Sequence, residues 1–196
     1  MAESVRDLRR GQIVAAARRL VAEGGLEALT FGALEERLSF TRGVITYHFA
    51  SKDEVVRAVF ASAVAEIDAA VRHEVEAGAT IRDKIHAVVR GNVRGFVDND
   101  VAGRVLLSFW GRLSADAAVR TINAELYARY RRRAARLLRA ARAAGQIARV
   151  DVDVMASLLV GLVLGIATQH YFEPGSVDVD AAVEEATRTV VARLAP

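Results

Sequence analysis

The chain has 196 residues, 53% of them hydrophobic, with 14 Gly, only 2 Pro and no Cys. That supports a sizeable core and excludes disordered, disulfide-framed and thiolate-metal classes; it also fits a reducing cytosol. With 27 Lys and Arg against 24 Asp and Glu the net charge is only +3, so affinity for an anionic partner must come from where charges sit, not from their sum.

Few breakers and an abundance of Ala, Leu, Arg and Glu favour helices throughout. The first ten residues are polar and lack the apolar segment of a signal peptide. A first helix is predicted over residues 8–23, where Ile13, Val14, Ala17, Leu20 and Val21 recur at helical spacing, and Gly24-Gly25 is expected to end it. Arg6, Arg9, Arg10, Arg18 and Arg19 against Glu3 and Asp7 make this end locally positive. Thr30 is placed to cap a short second helix to about Leu38, with Leu34 and Leu38 inward. A turn at Ser39-Phe40 leads into a third helix from Thr41. These three short helices make a compact unit, residues 1–50, that joins the next helix with almost no linker.

On a wheel of 100° per residue, Thr41, Val44, Ile45 and His48 share one side of the third helix. Arg42 with Thr46, and Gly43 with Tyr47, form pairs four apart on the other. That outward side offers a guanidinium, a hydroxyl, bare backbone and a phenol, a surface suited to base edges and phosphates in a major groove. Gly43 inside a helix costs about 1 kcal/mol against Ala, which close approach of another backbone would justify. Ser51 and Glu54 then read as a capping box for the next helix. Lys52 falls in its first turn, where the backbone dipole disfavours a cation. Something outside the helix should want that charge.

Longer helices follow. Residues 54–77 carry Val55, Val56, Val59, Phe60, Ala63, Val64, Ile67 and Val71 on one side. Helices are expected at 81–97, 101–113, 116–144, 151–172 and 179–194, with no strand-like alternation competing. Asn92 falls in the apolar arc of Ile81, Ile85, Val88, Val89 and Phe96, and a buried amide needs a partner, either neighbouring backbone or a ligand. Gln169 sits similarly among Leu158, Leu162 and Ile166. Asn92, Phe96, Trp110 and Gln169 form the candidate effector-binding set, with core packing as the alternative for each. Arg129, Arg132, Arg133, Arg136 and Arg139 form a basic stripe opposite Leu126, Tyr130, Leu137 and Ala141, read as a solvated amphipathic face.

Residues 154–172 contain no Asp, Glu, Lys or Arg and approach the length of a membrane span. Ser157, Thr168, Gln169 and His170, and the absence of flanking basic residues, favour a buried soluble helix and no membrane partner. Ser157, Gly161, Gly165 and Thr168 share a narrow arc suited to close helix crossing, while Met155, Leu158, Leu162 and Ile166 suit the domain's own core. With Val183, Ala186, Val190 and Leu194 aligned on the last helix, a four-helix homodimer interface is natural.

The chain resembles the tetracycline-repressor (TetR) family of transcriptional regulators. The resemblance rests on Arg10, Ile13, Val14, Ala16, Ala17 and Leu20, on Gly24, Thr30 and Leu34, and above all on Thr41, Gly43, Tyr47, His48, Phe49, Ser51, Lys52, Asp53 and Glu54 at their spacing. It implies that Thr41, Arg42, Gly43 and Thr46 face the groove, that Tyr47, His48 and Lys52 contact phosphates, and that Thr30 lies near the DNA backbone. The chain departs from the family pattern at Ser39, where the turn usually has Gly, at Glu35, where helix two usually has Ala, and at Thr46, which replaces a common Tyr. The segment 172–178, Phe-Glu-Pro-Gly-Ser-Val-Asp, also resembles the subgroup holding the choline-responsive betaine-pathway repressors.

The expectation is thus an all-α homodimer. Residues 1–50 form a helix-turn-helix DNA-binding domain and residues 51–196 an effector-binding and dimerisation domain. It would act in the cytoplasm as a repressor on a near-palindromic double-stranded operator, released by a small molecule. No cofactor, metal or catalytic residue is expected, because the chain has no phosphate-cradling glycine loop, nucleophile elbow or paired-His spacing. The rivals are a regulator without a small-molecule effector, which a filled interior would favour, and a helical enzyme or carrier, which turnover without DNA affinity would favour.

Overall fold

A computed structural model describes residues 4–110 and 117–195, and every regular element among them is an α-helix. In chain order these are α1 Val5–Ala28, α2 Phe31–Leu38, α3 Arg42–His48, α4 Lys52–Ala77, α5 Ile81–Val97, α6 Asp100–Trp110, α7 Ala117–Ala143, α8 Val152–Phe172 and α9 Val179–Leu194. The all-α expectation holds. The expected end of the sixth helix at Leu113 and start of the seventh at Asp116 lie outside the described residues.

Two compact units emerge. One is Met1–Glu66 with Asp100–Asn123, the other Ile67–Asn99 with Ala124–Pro196. The expected division at residue 50 falls inside the first unit, because the early turns of α4 share its core.

In the first unit Ser4 caps α1 and Thr30 caps α2, each side chain accepting a backbone N–H three residues on. The glycine pair breaks α1 where expected: Gly24 (φ −136°, ψ 19°) and Gly25 (φ 70°, ψ −172°) both leave helical geometry. Glycine adopts that positive φ without steric cost, so the helix kinks there and adds one turn to Ala28. That turn buries Leu26 and Leu29 beside Ile13, Ala17, Leu20 and Val21. Ile45 and Phe49 from α3, and Val55, Val59 and Phe60 from α4, join the core. α6 packs along α1, and the Phe60 and Phe109 rings meet at 4.6 Å, tilted by 50°. Each such side chain contributes about 1.5–3 kcal/mol through burial.

In the second unit α5 lies against α8 and α9. Ile85, Val89 and Val93 meet Leu138, Met155, Leu159, Val183, Val190 and Leu194 in one core. Its rim is laced by ion pairs, Arg94 to Asp180 at 2.6 Å and Arg82 to Glu184, and the His86 imidazole also meets Glu184, at 2.8 Å. Gly91 and Gly95 let α5 approach α4 closely. A Cβ on Gly91 would stand 2.9 Å from Val71 Cγ2, and one on Gly95 2.8 Å from Ile67 Cγ2. At Gly161 and Gly165 a Cβ would meet open space.

α8 is long and apolar enough to cross a membrane by length and composition, with a mean hydropathy of 1.8. In the fold it sends Val152, Met155, Ala156, Leu159, Ile166 and Ala167 into the unit's core. Two expectations change. Leu158, expected inward, is 54% exposed. Val183 and Val190, expected at a dimer interface, are 2% and 3% exposed inside their own chain's core, so they have no surface to offer a partner.

Candidate nucleic-acid interface and effector cavity

α3 is anchored from its inner side. Ile45 and Phe49 are fully buried. The Arg10 guanidinium donates to the His48 carbonyl oxygen at 2.8 Å and lies 4.1 Å from the centre of the Phe49 ring. Those contacts tie the end of α3 to α1, and the cation over the ring adds about 0.5–2 kcal/mol. The turn before α3 runs through Ser39 at φ 54°, ψ 29°.

The outer side is the one the wheel gave. Arg42, Gly43, Thr46 and Tyr47 are exposed, Tyr47 by 70%. The Arg42 guanidinium rests 5.4 Å from the Phe31 ring centre, which limits its freedom without pairing its charge. Thr46 donates its hydroxyl to the Arg42 carbonyl at 2.9 Å, leaving its methyl and oxygen lone pairs outward. Thr41 begins the helix without spending its hydroxyl on a cap. Apart from the Thr41 hydroxyl at 3.9 Å, the space above Gly43 is empty, so nothing among the described residues explains its missing side chain.

Lys52 begins α4, exposed and with no described carboxylate paired to it. The cap beside it closes nearly as expected. Ser51 accepts from the Glu54 amide at 3.3 Å, while Glu54 accepts from the Ala50 amide, one residue earlier than in a capping box. Thr30 is exposed and spends an oxygen lone pair on capping α2. His48 departs from the expected phosphate set: only 9% exposed, it holds Nδ1 buried without a hydrogen-bond partner. Two cations were not singled out. Arg6 and Arg9 line a shallow groove with Val5, Thr41, Gly43, Val44, Tyr47 and His48, and Arg6 lies 5.7 Å from the Tyr47 ring centre. The basic first turns of α1 were the signal for them.

The second unit holds a cavity of about 500 Å³ between α4, α5, α7 and α8, within the range of small-molecule sites. Of the four expected effector residues, Asn92 alone lines it. Its Nδ2 spends one N–H on the Val88 carbonyl at 2.8 Å, so the second N–H and the amide oxygen are what remain for a ligand. The other three sit elsewhere. Phe96 is buried against Tyr171, edge to face at 6.2 Å. Trp110 belongs to the first unit. Gln169 is exposed and donates back to the Gly165 carbonyl.

The polar part of the cavity is Asp68, Tyr130, Arg133, Arg136, Arg72 and Glu76. Asp68 is buried, with Arg133 reaching it at 2.7 Å and Arg129 at 3.7 Å, and a buried carboxylate without such partners would be strongly destabilising. Burial raises the Tyr130 phenol well above its ordinary value, and the Asp68 charge adds to that; it stays a neutral hydroxyl. The signal for this group was Asp68 itself, an acid inside the apolar stripe of α4 between Val64 and Val71. The basic face of α7, read as solvated, supplies its partners.

On α8, Ser157 and Thr168 turn their hydroxyls back onto the Asp153 and Leu164 carbonyls. The arc of Ser157, Gly161, Gly165 and Thr168 is thereby left with few free polar groups, beside the exposed Val154 and Leu158.

Comparison with known proteins agrees with this architecture. Residues 13–59 match the model of the bacterial regulatory proteins of the tetR family, and residues 81–196 match that of the BetI-type transcriptional repressor C-terminal domain. The HTH-type transcriptional regulator BetI of Burkholderia thailandensis is 26% identical over 200 residues, covering 98% of this chain and 96% of that protein. A TetR-family regulator from Cytophaga hutchinsonii superposes with a TM-score of 0.83 at 19% identity, covering 100% of this chain and 98% of that one. A Saccharomonospora viridis protein described as a transcriptional regulator, crystallised with choline, superposes with a TM-score of 0.78 at 21% identity, covering 95% of this chain and 97% of that one.

Proposed function

The chain belongs to the TetR family of bacterial transcriptional regulators, with a BetI-type repressor C-terminal domain, and we propose that it is a cytoplasmic homodimeric repressor whose grip on its operator is loosened by a small molecule in the second unit's cavity. It is a DNA-binding regulator, and its family consists of regulators rather than enzymes.

The observation that carries the reading is the outer face of α3. Arg42, Thr46 and the open backbone at Gly43 stand together exposed, with no ion pair on Arg42 among the described residues and Thr46 bonded only to carbonyls of its own helix, the arrangement major-groove readout requires. Arg42 reads base edges, Thr41, Gly43 and Thr46 pack against them, and Tyr47, Lys52, Arg6 and Arg9 hold phosphates, with Thr30 at the edge. The α8 arc of Ser157, Gly161, Gly165 and Thr168 forms the dimer seam. Two copies then set their recognition helices on half-sites roughly 34–36 Å apart on a near-palindromic operator.

The open cavity favours an effector over the rival regulator that has none. α4 is one helix from Lys52 to Ala77, held to the end of α3 through the Ala50–Glu54 bond, and its later turns supply Asp68, Val71 and Val75 to the cavity wall. A ligand that shifts those turns carries α3 with them and changes the half-site spacing without touching DNA. Selection of an operator from a random duplex pool, followed by titration with and without ligands found by thermal shift, tests the reading. If no duplex is enriched, or if every stabilising ligand leaves operator affinity unchanged, it fails.

A further inference from the structure

We infer that the cavity is built for an aliphatic chain carrying an anionic head, an acyl carboxylate or its thioester conjugate, and not for a quaternary ammonium compound. The inference rests on the cavity being the effector site.

The wall decides the body of the ligand. Val71, Val75, Val88, Leu159, Val163 and Leu164 make it aliphatic, and Tyr130 is the one aromatic ring among the lining residues. Burial of alkyl chain against such a wall is favourable by roughly 0.8 kcal/mol per methylene. A quaternary ammonium group needs something else, several ring faces or a free carboxylate. The lining holds a single ring, and of its two carboxylates only Glu76 has no ion pair among the described residues; it is exposed, four residues along α4 from the lining Arg72. The Tyr130 ring already has the Arg129 guanidinium 5.9 Å from its centre, and the buried carboxylate of Asp68 is occupied by Arg133 and Arg129.

The charges decide the head. Arg72, Arg133 and Arg136 line the cavity against Asp68 and Glu76, so the lining carries one net positive charge. Asp68 holds Arg133 through a single terminal nitrogen at 2.7 Å, leaving the rest of that fork to donate. Arg136 has no ion-pair partner among the described residues. The neutral Tyr130 hydroxyl adds a donor with no competing charge of its own. An arriving carboxylate or phosphate therefore meets donors, while an arriving cation meets three guanidinium groups against two carboxylates, one of them already occupied.

Laurate, dodecanol and dodecyltrimethylammonium share one chain and differ in head charge, which makes them the test. In titration calorimetry on the full-length chain, below each micelle threshold, laurate should bind tightest, dodecanol next and the ammonium weakest, with no heat from choline. Arg136→Gln should weaken laurate by about tenfold or more, the equivalent of one charged hydrogen bond, and leave dodecanol unchanged. Val163→Phe should fill the cavity and weaken laurate and dodecanol alike, with thermal melts confirming that both variants fold. Palmitate and palmitoyl-CoA run in parallel separate the sources: binding of palmitate alone assigns the free acid, and binding of palmitoyl-CoA alone assigns the thioester. The ammonium binding more tightly than laurate, no binding of any anionic amphiphile, or laurate indifferent to both substitutions would overturn the inference. Operator titrations keep it separate from the switch. If laurate ranks as expected but operator affinity holds, the ligand class stands and the effector reading falls; if choline frees the operator and acyl anions do not bind, the effector reading stands and this inference falls.

Discussion

Ser39 holds a left-handed backbone, φ 54° and ψ 29°, with an exposed side chain, where a Cβ costs roughly 1–2 kcal/mol. Ser39→Gly should remove that strain, lose a little to unfolded-chain entropy, and leave the protein about 0.5–1 kcal/mol more stable in urea melts. A lower midpoint would mean that the serine hydroxyl supports the turn. On the recognition face, Arg42→Ala should relax discrimination at one or two operator positions by roughly 1–3 kcal/mol, whereas Lys52→Ala should weaken all sequences alike. Operator and scrambled duplexes titrated side by side check both, and unchanged binding by both variants would remove α3 as the reader. Much at this scale was legible, because caps and helix faces depend on residues three or four apart. His48 shows the limit. The helical wheel put it inward and the family pattern put it on phosphates; its burial agrees with the wheel.

Helices were legible from period and composition, but their partners were not. Gly91 with Gly95 and Gly161 with Gly165 share one spacing, yet the first pair faces Val71 and Ile67 under 3 Å from a virtual Cβ and the second faces open space. Sequence spacing cannot distinguish a seam inside the chain from one outside it. Gly95→Val should therefore force α5 from α4 and cost about 1–3 kcal/mol by overpacking, read as a lower melting midpoint. Gly165→Arg should leave the chain folded but monomeric in sedimentation, with operator affinity collapsing alongside. A fully dimeric Gly165→Arg would move the seam elsewhere. Phe96 and Trp110 missed the cavity for a similar reason: an apolar arc tells that a residue is inward, not which interior it enters. Asp68 carried more information, since an acid on an apolar stripe requires cations from another helix.

Ligand and operator address one chain, so their effects must be reciprocal. A coupling of about 1–3 kcal/mol should appear as operator loss on ligand binding and as an equal ligand loss on operator binding. Asn92→Leu removes the amide from the cavity wall. It should weaken the ligand while leaving unliganded operator affinity intact; calorimetry with and without operator duplex would show both, and unequal factors would rule out a single two-state switch.

The exposed arc of α8 also makes stability a matter of mass action. Val154, Leu158 and Phe172 lie open on the single chain, and a second copy covering that arc binds the native state but not the unfolded one. The chain should then have no melting temperature of its own, only one for each protein concentration, rising as the concentration rises. Dilution alone should unfold it at temperatures where a concentrated sample holds. A midpoint independent of concentration across the dimer's dissociation range would leave the arc without its partner.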